Sequence, residues 1–302
     1  MPCWRTWASV FALLLTGNIV RAQPKLKDRY ADVNGVRLHY VENGKGDLIV
    51  FLHGFPEFWY AWKDVVTELG TSHRAVAVDM RGYNLSSKPE AVDQYRMPLL
   101  VEDVRGLADK LGAKKFTLVG HDWGGVVAWS FAAAHPELLD YLIVINAPHP
   151  TVFSREFAKN PDQQKASAYF GLFTSPAAEA TLSANNYQML LGLIQGWATD
   201  QDRKEYVAAW KRGLSGGLNY YRAAGLGAPS GQRDVFPPLP KITVPTMVIW
   251  GEKDTALLTG NLDGLEEQTK ELTVKRVKDG THWVVHEKPG LVMGYIRDFI
   301  RP

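Results

Sequence analysis

The chain has 302 residues, of which 46% are hydrophobic and 22% are charged, a composition in the ordinary range of globular proteins. Its 34 lysines and arginines nearly balance 32 acidic residues, and no run of basic residues supports nucleic-acid binding. The single cysteine, Cys3, excludes a disulfide framework and thiolate metal sites. Because Cys3 also lies in an N-terminal segment that we expect to be removed, a catalytic nucleophile has to be an oxygen or a nitrogen atom.

The N-terminal stretch predicts a secretory signal peptide over residues 1–22. Arg5 precedes an apolar run that begins near Trp7, and Val20-Arg21-Ala22 matches the small-x-small pattern before a cleavage site. The run is shorter than the roughly 20 apolar residues that a membrane-spanning helix needs, and polar residues interrupt it. We therefore expect a secreted or periplasmic protein, with an uncleaved N-terminal anchor as the alternative.

From residue 28 onward, short runs rich in β-branched residues alternate with longer helical patterns. This alternation predicts a mostly parallel sheet with helices on both faces. The eight predicted strands are Arg29–Val33, Val36–Glu42, Leu48–Leu52, Ala75–Asp79, Phe116–Gly120, Leu139–Asn146, Thr246–Gly251 and Thr273–Val277. Apolar residues near i, i+3, i+4 spacing predict helices over Trp59–Leu69, Leu99–Leu111, Gly124–Ala134 and Leu291–Ile300. Asn34-Gly35 predicts a tight hairpin between the first two strands.

No strand is predicted between Pro148 and Pro240. About 90 residues of helix-prone, aromatic-rich sequence there separate the sixth strand from the seventh. Prolines end this stretch with a stiff return toward the sheet. We therefore predict a helical cap over residues 148–240, inserted into an α/β core that consists of residues 23–147 and 241–302.

A glycine-rich turn follows the fifth strand. The segment Gly120-His121-Asp122-Trp123-Gly124-Gly125 connects that strand to an apolar helix. Glycines around one reactive residue in a strand-turn-helix connection are typical of a nucleophile elbow. Asp122 occupies the position of the nucleophile. The alternative is that Asp122 only caps the following helix, since Asp is a good N-cap residue.

Two further candidate residues follow later strands. Asp254 comes after the seventh strand, and His282 comes after the eighth. Nucleophile, acid and histidine in this order, at the carboxyl ends of strands, are expected for the α/β-hydrolase fold. This order argues against a mere capping role for Asp122. His286 is the rival base, although we expect it to pack or to face solvent.

The segment His53-Gly54-Phe55-Pro56 follows the third strand, where hydrolases of this type place a loop that donates a backbone N–H. We predict that the N–H groups of Phe55 and Trp123 form an oxyanion hole. His53 and His121 are expected to form hydrogen bonds in the loop and the elbow rather than to act as bases. The remaining histidines lack metal-ligand spacing, so no metal site is predicted.

An aspartate nucleophile changes the chemistry that we predict. A carboxylate is a poor acyl-transfer nucleophile, but it can displace a leaving group from saturated carbon and form an alkyl ester of the enzyme. Peptidases and ordinary esterases are therefore disfavoured. His282, oriented by Asp254, would activate the water that cleaves this ester. Neither step requires a cofactor, and the leaving group can be a halide or the alkoxide of a strained epoxide.

The elbow around Asp122, HGFPE at 53–57 and the cap insertion resemble those of the epoxide hydrolases of the α/β-hydrolase superfamily, over roughly residues 28–302. Members carry a tyrosine followed seven residues later by proline, which Tyr169 matches, and a second tyrosine in an N-x-Y-R motif, which Tyr221 matches. The resemblance implies that both tyrosines hydrogen-bond the oxygen of a small apolar epoxide, which water converts to a vicinal diol. Phe170 and Phe173 are candidates for substrate binding.

Two other functions stay open. Haloalkane dehalogenases share the HDWG elbow, so Trp123 alone does not discriminate, but their loop more often reads HGNP where this chain has Phe55. A hydrolase-fold protein that binds an apolar ligand without turnover is the second alternative, because fold alone does not establish function. The complete set of candidate catalytic residues argues against it.

Overall fold

The central sheet is built from the short apolar runs of the sequence. The structure, a computed structural model, describes residues 26–227 and 236–301, and the predicted signal peptide lies outside them. In this part of the chain eight strands form one sheet: β1 Lys27–Val33, β2 Val36–Asn43, β3 Leu48–Leu52, β4 Arg74–Val78, β5 Phe116–His121, β6 Leu139–Ile145, β7 Thr246–Gly251 and β8 Leu272–Val277. The predicted eight-stranded sheet is confirmed.

The sheet is mostly parallel. Its strand order is β1-β2-β4-β3-β5-β6-β7-β8, and β2 runs antiparallel to both of its neighbours while the later pairs are parallel. Asn34 and Gly35 have φ values of 45° and 76°, and Val33 pairs with Val36 around them. Two positive φ values are what a tight hairpin turn of this kind requires.

The helices before the cap follow the predicted periodicity, with one correction. They are α1 Lys63–Leu69, α2 Met97–Lys110 and α3 Trp123–Ala134. The predicted helix over Trp59–Leu69 was wrong in its first turn, because residues Trp59–Trp62 form a 3₁₀ turn. The N–H of Trp59 donates to the buried carboxylate of Asp79 at 2.9 Å, which ties the start of this turn to the loop after β4.

Helices cover both faces of the sheet, so the strands are buried on both sides. In β3, Leu48, Val50 and Leu52 belong to one apolar core, and Ile49 and Phe51 belong to the other. This division follows from the two-residue period of a strand. The helices after the cap are α10 Leu265–Gln268, α11 Val284–Glu287 and α12 Pro289–Phe299. Residues of α1, α11 and α12 complete the second core.

A helical cap follows β6, as predicted. Its described helices are α4 Pro150–Lys159, α5 Pro161–Ala166, α6 Tyr169–Thr174, α7 Ala178–Ile194, α8 Asp200–Trp210 and α9 Ser215–Ala223. Helix α7 is interrupted at residues 184–187, where three successive residues have positive φ. None of the helices in the described ranges combines the length and the apolar character needed to span a bilayer.

Polar contacts seat the cap on the core. The indole N–H of Trp210 donates to the carbonyl of Pro56 at 2.7 Å, and the hydroxyl of Tyr220 donates to the carbonyl of Arg81 at 2.9 Å. Lys63 of α1 forms an ion pair with Asp202 of α8. These contacts hold the cap over the carboxyl ends of the parallel strands, where α/β proteins place their sites.

Close packing around the turn after β5 leaves no room for side chains at its glycines. A Cβ atom at Gly124 would lie 2.3 Å from the carbonyl oxygen of Leu52, and one at Gly120 would lie 2.3 Å from that of Gly124. Both contacts are with backbone atoms, which cannot move aside cheaply. The glycines therefore allow α3 to approach β3 and β5 closely enough to form the turn.

We expect Gly124→Ala to destabilise the fold by about 3 kcal/mol, because overpacking against fixed backbone costs roughly this much. Gly192→Ala is the matched control. Gly192 lies in helix α7, and a Cβ atom added there would meet none of the described residues that pack around the helix within 4 Å, so alanine should be neutral or mildly stabilising. Urea denaturation of both variants measures the difference. Equal stabilities would contradict the packing account.

Candidate active site

The turn after β5 places Asp122 in a strained conformation. Asp122 has φ 51° and ψ −123°, directly between β5 and α3. A non-glycine residue at positive φ persists only when the surrounding structure holds it there. The Asp122 N–H donates to the carbonyl of Ile145 at 3.3 Å, and the carbonyl of Asp122 accepts the N–H of Val126 at 3.1 Å. The predicted elbow is therefore present, with Asp122 at its apex.

The loop after β3 contacts the Asp122 carboxylate. The N–H of Phe55 donates to Asp122 Oδ1 at 2.8 Å. His53 shapes this loop, because its Nδ1 donates to the carbonyl of Gly54 at 2.8 Å and its Nε2 accepts the N–H of Met80 at 3.1 Å. Burial lowers the pKa of His53, in keeping with a neutral ring. For Trp123, the other predicted oxyanion-hole residue, the described residues show no such bond to Asp122; its N–H belongs to the first turn of α3.

Asp254 and His282 meet beside the elbow. His282 Nδ1 lies 2.7 Å from Asp254 Oδ2 and must be the donor, because a carboxylate can only accept. The other ring nitrogen, Nε2, lies 3.7 Å from Asp122 Oδ2. The three predicted residues are thus brought together, with the imidazole between the two carboxylates.

Asp254 is held by several donors. Asn146 Nδ2 donates to its Oδ2 at 2.8 Å, and the N–H groups of Ala256 and Leu257 donate to its Oδ1 at 2.8 and 2.9 Å. Burial by itself raises the pKa of Asp254, but His282 and these hydrogen bonds more than offset burial and hold the pKa below its usual value. Asp254 is therefore ionised and fixed in orientation.

The neighbouring carboxylates control the charge of His282. Burial lowers its pKa, but the charges of Asp254, Asp122 and Glu57 and the hydrogen bond to Asp254 outweigh burial and raise the pKa to about 9. The imidazolium is therefore the favoured form while Asp122 carries its negative charge. Any reaction that neutralises Asp122 removes one of these stabilising charges.

A buried glutamate lies behind His282. Glu57 Oε2 lies 3.0 Å from His121 Nδ1, and the Nε2 of His121 donates to the carbonyl of His282 at 2.8 Å. Glu57 Oε1 contacts His286 Nε2 at 2.5 Å and accepts the hydroxyl of Tyr206 at 3.2 Å. Burial raises the pKa of Glu57, but the two histidines together hold it well below its usual value. His121 is thus a hydrogen-bonding residue of the elbow.

His286, the rival base, contacts Glu57 and the cap. Its ring hydrogen-bonds Glu57 and stacks on Trp197 of the cap, with ring centroids 3.7 Å apart and planes inclined by 4°. Its side chain is 10% exposed, so it packs rather than faces solvent. His282 is the histidine that faces Asp122.

A small cavity of ≈ 30 Å³ lies over Asp122. Tyr169 and Tyr221 of the cap line it, and burial followed by the charge of Asp122 raises the pKa of both hydroxyls well above the usual value. Both tyrosines therefore stay protonated and can donate hydrogen bonds. Phe170 also lines the cavity, whereas Phe173 is not part of its lining and packs against Phe55 and Tyr221 with ring centroids 5.0 and 5.1 Å away.

Most of the cavity wall was not singled out from the sequence. The further apolar lining residues are Val126, Pro148, Phe153, Leu226, Phe236 and Leu257. Val126 could have been predicted from the sequence, because it lies one helical turn after Asp122 and therefore on the same face of α3. Leu257 lies in the loop after β7 that carries Asp254. The others come from the cap and its connections, where no periodic signal distinguishes a residue that faces a cavity from one that faces the cap core.

Gln163 was also missed. It is fully buried in the short helix α5, where its Nε2 donates to the carbonyl of Ala256 at 2.8 Å and its Oε1 accepts the N–H of Leu258 at 3.0 Å. These bonds tie the cap to the loop that carries Asp254. Within the described ranges, no group of three or more His, Cys, Asp or Glu side chains is arranged to hold a metal ion.

Known proteins resemble this chain over most of its length. Residues 47–289 match the family described as the alpha/beta hydrolase fold. Epoxide hydrolase 2 of Caenorhabditis elegans is 33% identical over 290 residues, which cover 90% of this chain and 79% of the relative. The AB hydrolase superfamily protein YfhM of Bacillus subtilis is 38% identical over 287 residues, which cover 91% and 98% of the two chains.

A solved structure shows the same similarity in three dimensions. The crystal structure of the Bacillus megaterium epoxide hydrolase in complex with an inhibitor has a TM-score of 0.85 at 37% identity, covering 90% of this chain and 99% of that chain. Sequence and fold thus agree along nearly the whole described chain. The chain belongs to the alpha/beta hydrolase fold family, among its epoxide hydrolases.

Proposed function

We propose that the protein hydrolyses a small apolar epoxide to a vicinal diol through a covalent ester on Asp122. The observation that carries this proposal is the shared cavity: a carboxylate on a nucleophile elbow faces two protonated tyrosines across an apolar space. The relatives named epoxide hydrolase support the same reaction. The role of each residue in the steps of the reaction is part of the proposal.

The first step is attack on an epoxide carbon. Because Asp122 Oδ1 accepts the N–H of Phe55, Oδ2 is the oxygen free to attack. A bond forms between Oδ2 and carbon while the bond between that carbon and the epoxide oxygen breaks. The released oxygen takes a proton from Tyr169 or Tyr221. Ring opening therefore avoids a free alkoxide, whose negative charge would be costly in an apolar cavity.

The second step is hydrolysis of the ester. Ester formation removes the negative charge of Asp122, which helps to keep the pKa of His282 at about 9 in the free enzyme. The pKa of His282 therefore falls once the ester has formed, and the ring becomes ready to take a proton from water. The hydroxide attacks the ester carbonyl, and negative charge develops on Oδ1 beside the Phe55 N–H.

Collapse of the tetrahedral intermediate completes the cycle. The bond between Asp122 Cγ and Oδ2 breaks, whereas the bond between Oδ2 and the substrate carbon stays intact. Oδ2 therefore leaves as the second hydroxyl oxygen of the diol. The imidazolium of His282, stabilised by Asp254, protonates it. One water is consumed. One of its protons passes through His282 to the product, and the other, left on the re-formed Asp122 carboxyl group, returns to the tyrosinate that ring opening produced. The oxygen of the water remains in the Asp122 carboxylate, so both product oxygens of a first turnover come from the epoxide and from Asp122.

A comparison of diol and halide formation tests the reaction class. We expect the purified protein to convert styrene oxide to its diol and to release no bromide from 1-bromobutane. Tyr169→Phe and Tyr221→Phe should each lower kcat/KM for styrene oxide by about 10²-fold or more, because each removes a positioned acid.

Tyr220→Phe is the matched control for both tyrosine variants. Tyr220 is adjacent to Tyr221, but its hydroxyl donates to the carbonyl of Arg81, so its loss should affect stability rather than ring opening. Bromide release without diol would show that the cavity serves a dehalogenase. A loss of turnover in Tyr220→Phe equal to that in Tyr221→Phe would contradict the assigned roles.

His282→Gln should trap the ester. We expect this variant to react once with epoxide and to gain the mass of the substrate on the peptide that contains Asp122, because the ester forms but no base activates water. Intact-protein and peptide mass spectrometry after exposure to styrene oxide measures the adduct. His286→Gln, which changes the rival histidine, should not accumulate it; an adduct in that variant alone would move the base assignment to His286.

A further inference from the structure

A second cavity lies next to the one over Asp122. It has a volume of ≈ 320 Å³ and is bordered by α2, α3 and the segment after residue 235. Phe236 lines both cavities and is the residue they share. We call this space the outer cavity and the space over Asp122 the inner cavity.

Helix α3, the segment after β6 and the segment after residue 235 contribute residues to the walls of both cavities. On α3, Val126 lines the inner cavity and Ser130, one turn later, lines the outer one. After β6, Pro148 lines the inner cavity and Pro150 the outer one. Since Phe236 lines both cavities, the two cavities adjoin each other at this residue.

Hydrogen bonds fix the backbone at Phe236. The Phe236 N–H donates to Ser154 Oγ at 3.0 Å, and the same hydroxyl donates to the Phe236 carbonyl at 3.1 Å. Further along, the N–H of Leu239 donates to Thr151 Oγ1 at 3.0 Å. The ring of Phe236 lies edge-on to Trp123, with centroids 6.1 Å apart. Since Phe236 lines both cavities, shortening this one side chain would enlarge both at the place where they adjoin.

The lining of the outer cavity suits an apolar group. Most of it is aliphatic, and its polar side chains already have partners: His135 Nε2 lies 2.9 Å from Glu102 Oε1, and Ser130 Oγ donates to the carbonyl of Val126 at 2.9 Å. No further polar partner is needed from a ligand. By contrast, the inner cavity of ≈ 30 Å³ has space for only about two water molecules and does not hold a long substituent.

We propose that the outer cavity is a subsite for the distal apolar substituent of an extended epoxide, and that Phe236 controls how far this substituent reaches. The proposal rests on the proposed epoxide hydrolysis at Asp122. Trp123 and Ser130 are seven residues apart on α3, a distance of roughly 10 Å along the helix axis. The fitting substrates are thus terminal epoxides that carry a linear apolar chain of about this length.

Two epoxides that differ only in chain length test the proposal. The ratio of kcat/KM for 1,2-epoxydecane to that for 1,2-epoxybutane is measured for the wild type and for Phe236→Ala. We expect the ratio to rise about tenfold in the variant, because one bulky side chain no longer restricts the long substituent. Phe236→Leu, which keeps more of the packing, should give a smaller rise in the same direction.

A second substitution identifies where the long chain goes. Ser130→Met in the Phe236→Ala background places a longer side chain in the outer cavity and should lower the ratio toward the wild-type value. Ser130→Ala in the same background removes the hydroxyl but leaves the space open, so the raised ratio should persist. Turnover of 1,2-epoxybutane in every variant shows that the protein is folded and that the inner site works.

The outcomes separate the two proposals. An unchanged ratio in Phe236→Ala and Phe236→Leu overturns the role of Phe236. A raised ratio that survives Ser130→Met overturns the outer cavity as the subsite. If the wild type forms no diol from either epoxide, the proposed function itself fails, and the subsite proposal falls with it.

Discussion

The backbone conformation of Asp122 is the constraint on which the site depends. At φ 51° the residue leaves the end of β5 with its carboxylate raised above the sheet, within reach of Phe55 on one side and His282 on the other. This conformation exists because glycines before and after it let α3 contact the ends of β3 and β5 at backbone distance. The apolar strands thus position a charged side chain at a point where the cap can cover it.

The electrostatic arrangement follows from that placement. Three carboxylates surround His282 and raise its pKa to about 9, although burial alone acts in the opposite direction. A site of this kind changes its own proton affinity when one carboxylate becomes an ester. The cap contributes the complementary groups, since Tyr169 and Tyr221 are kept protonated by burial and by the same negative charge on Asp122. The proposed nucleophile, base and acids lie on different elements, and the pKa values of the proposed base and acids all depend on the charge of Asp122.

The core could be predicted from the sequence because its signals are local. Unbroken apolar runs indicated the buried strands, and the positions of Asp122, Asp254 and His282 after three of them followed from the chain order. The cap was predictable only as a helical insertion. Whether Phe170 or Phe173 faces the cavity depends on how α6 packs against α9, and Gln163 acquires its role from a loop about 90 residues away. The 3₁₀ turn at Trp59 likewise depends on a tertiary contact with Asp79. The export signal stays a prediction.

The covalent ester on Asp122 is the central claim, and oxygen-isotope labelling tests it most directly. Enzyme in excess over epoxide is allowed a single turnover in water enriched in oxygen-18, and both the diol and the peptide that contains Asp122 are analysed by mass spectrometry. We expect an unlabelled diol and one heavy oxygen in the Asp122 carboxylate, because water attacks the ester carbonyl. A labelled diol together with an unlabelled Asp122 would show that water attacks the epoxide directly, and would contradict the covalent mechanism.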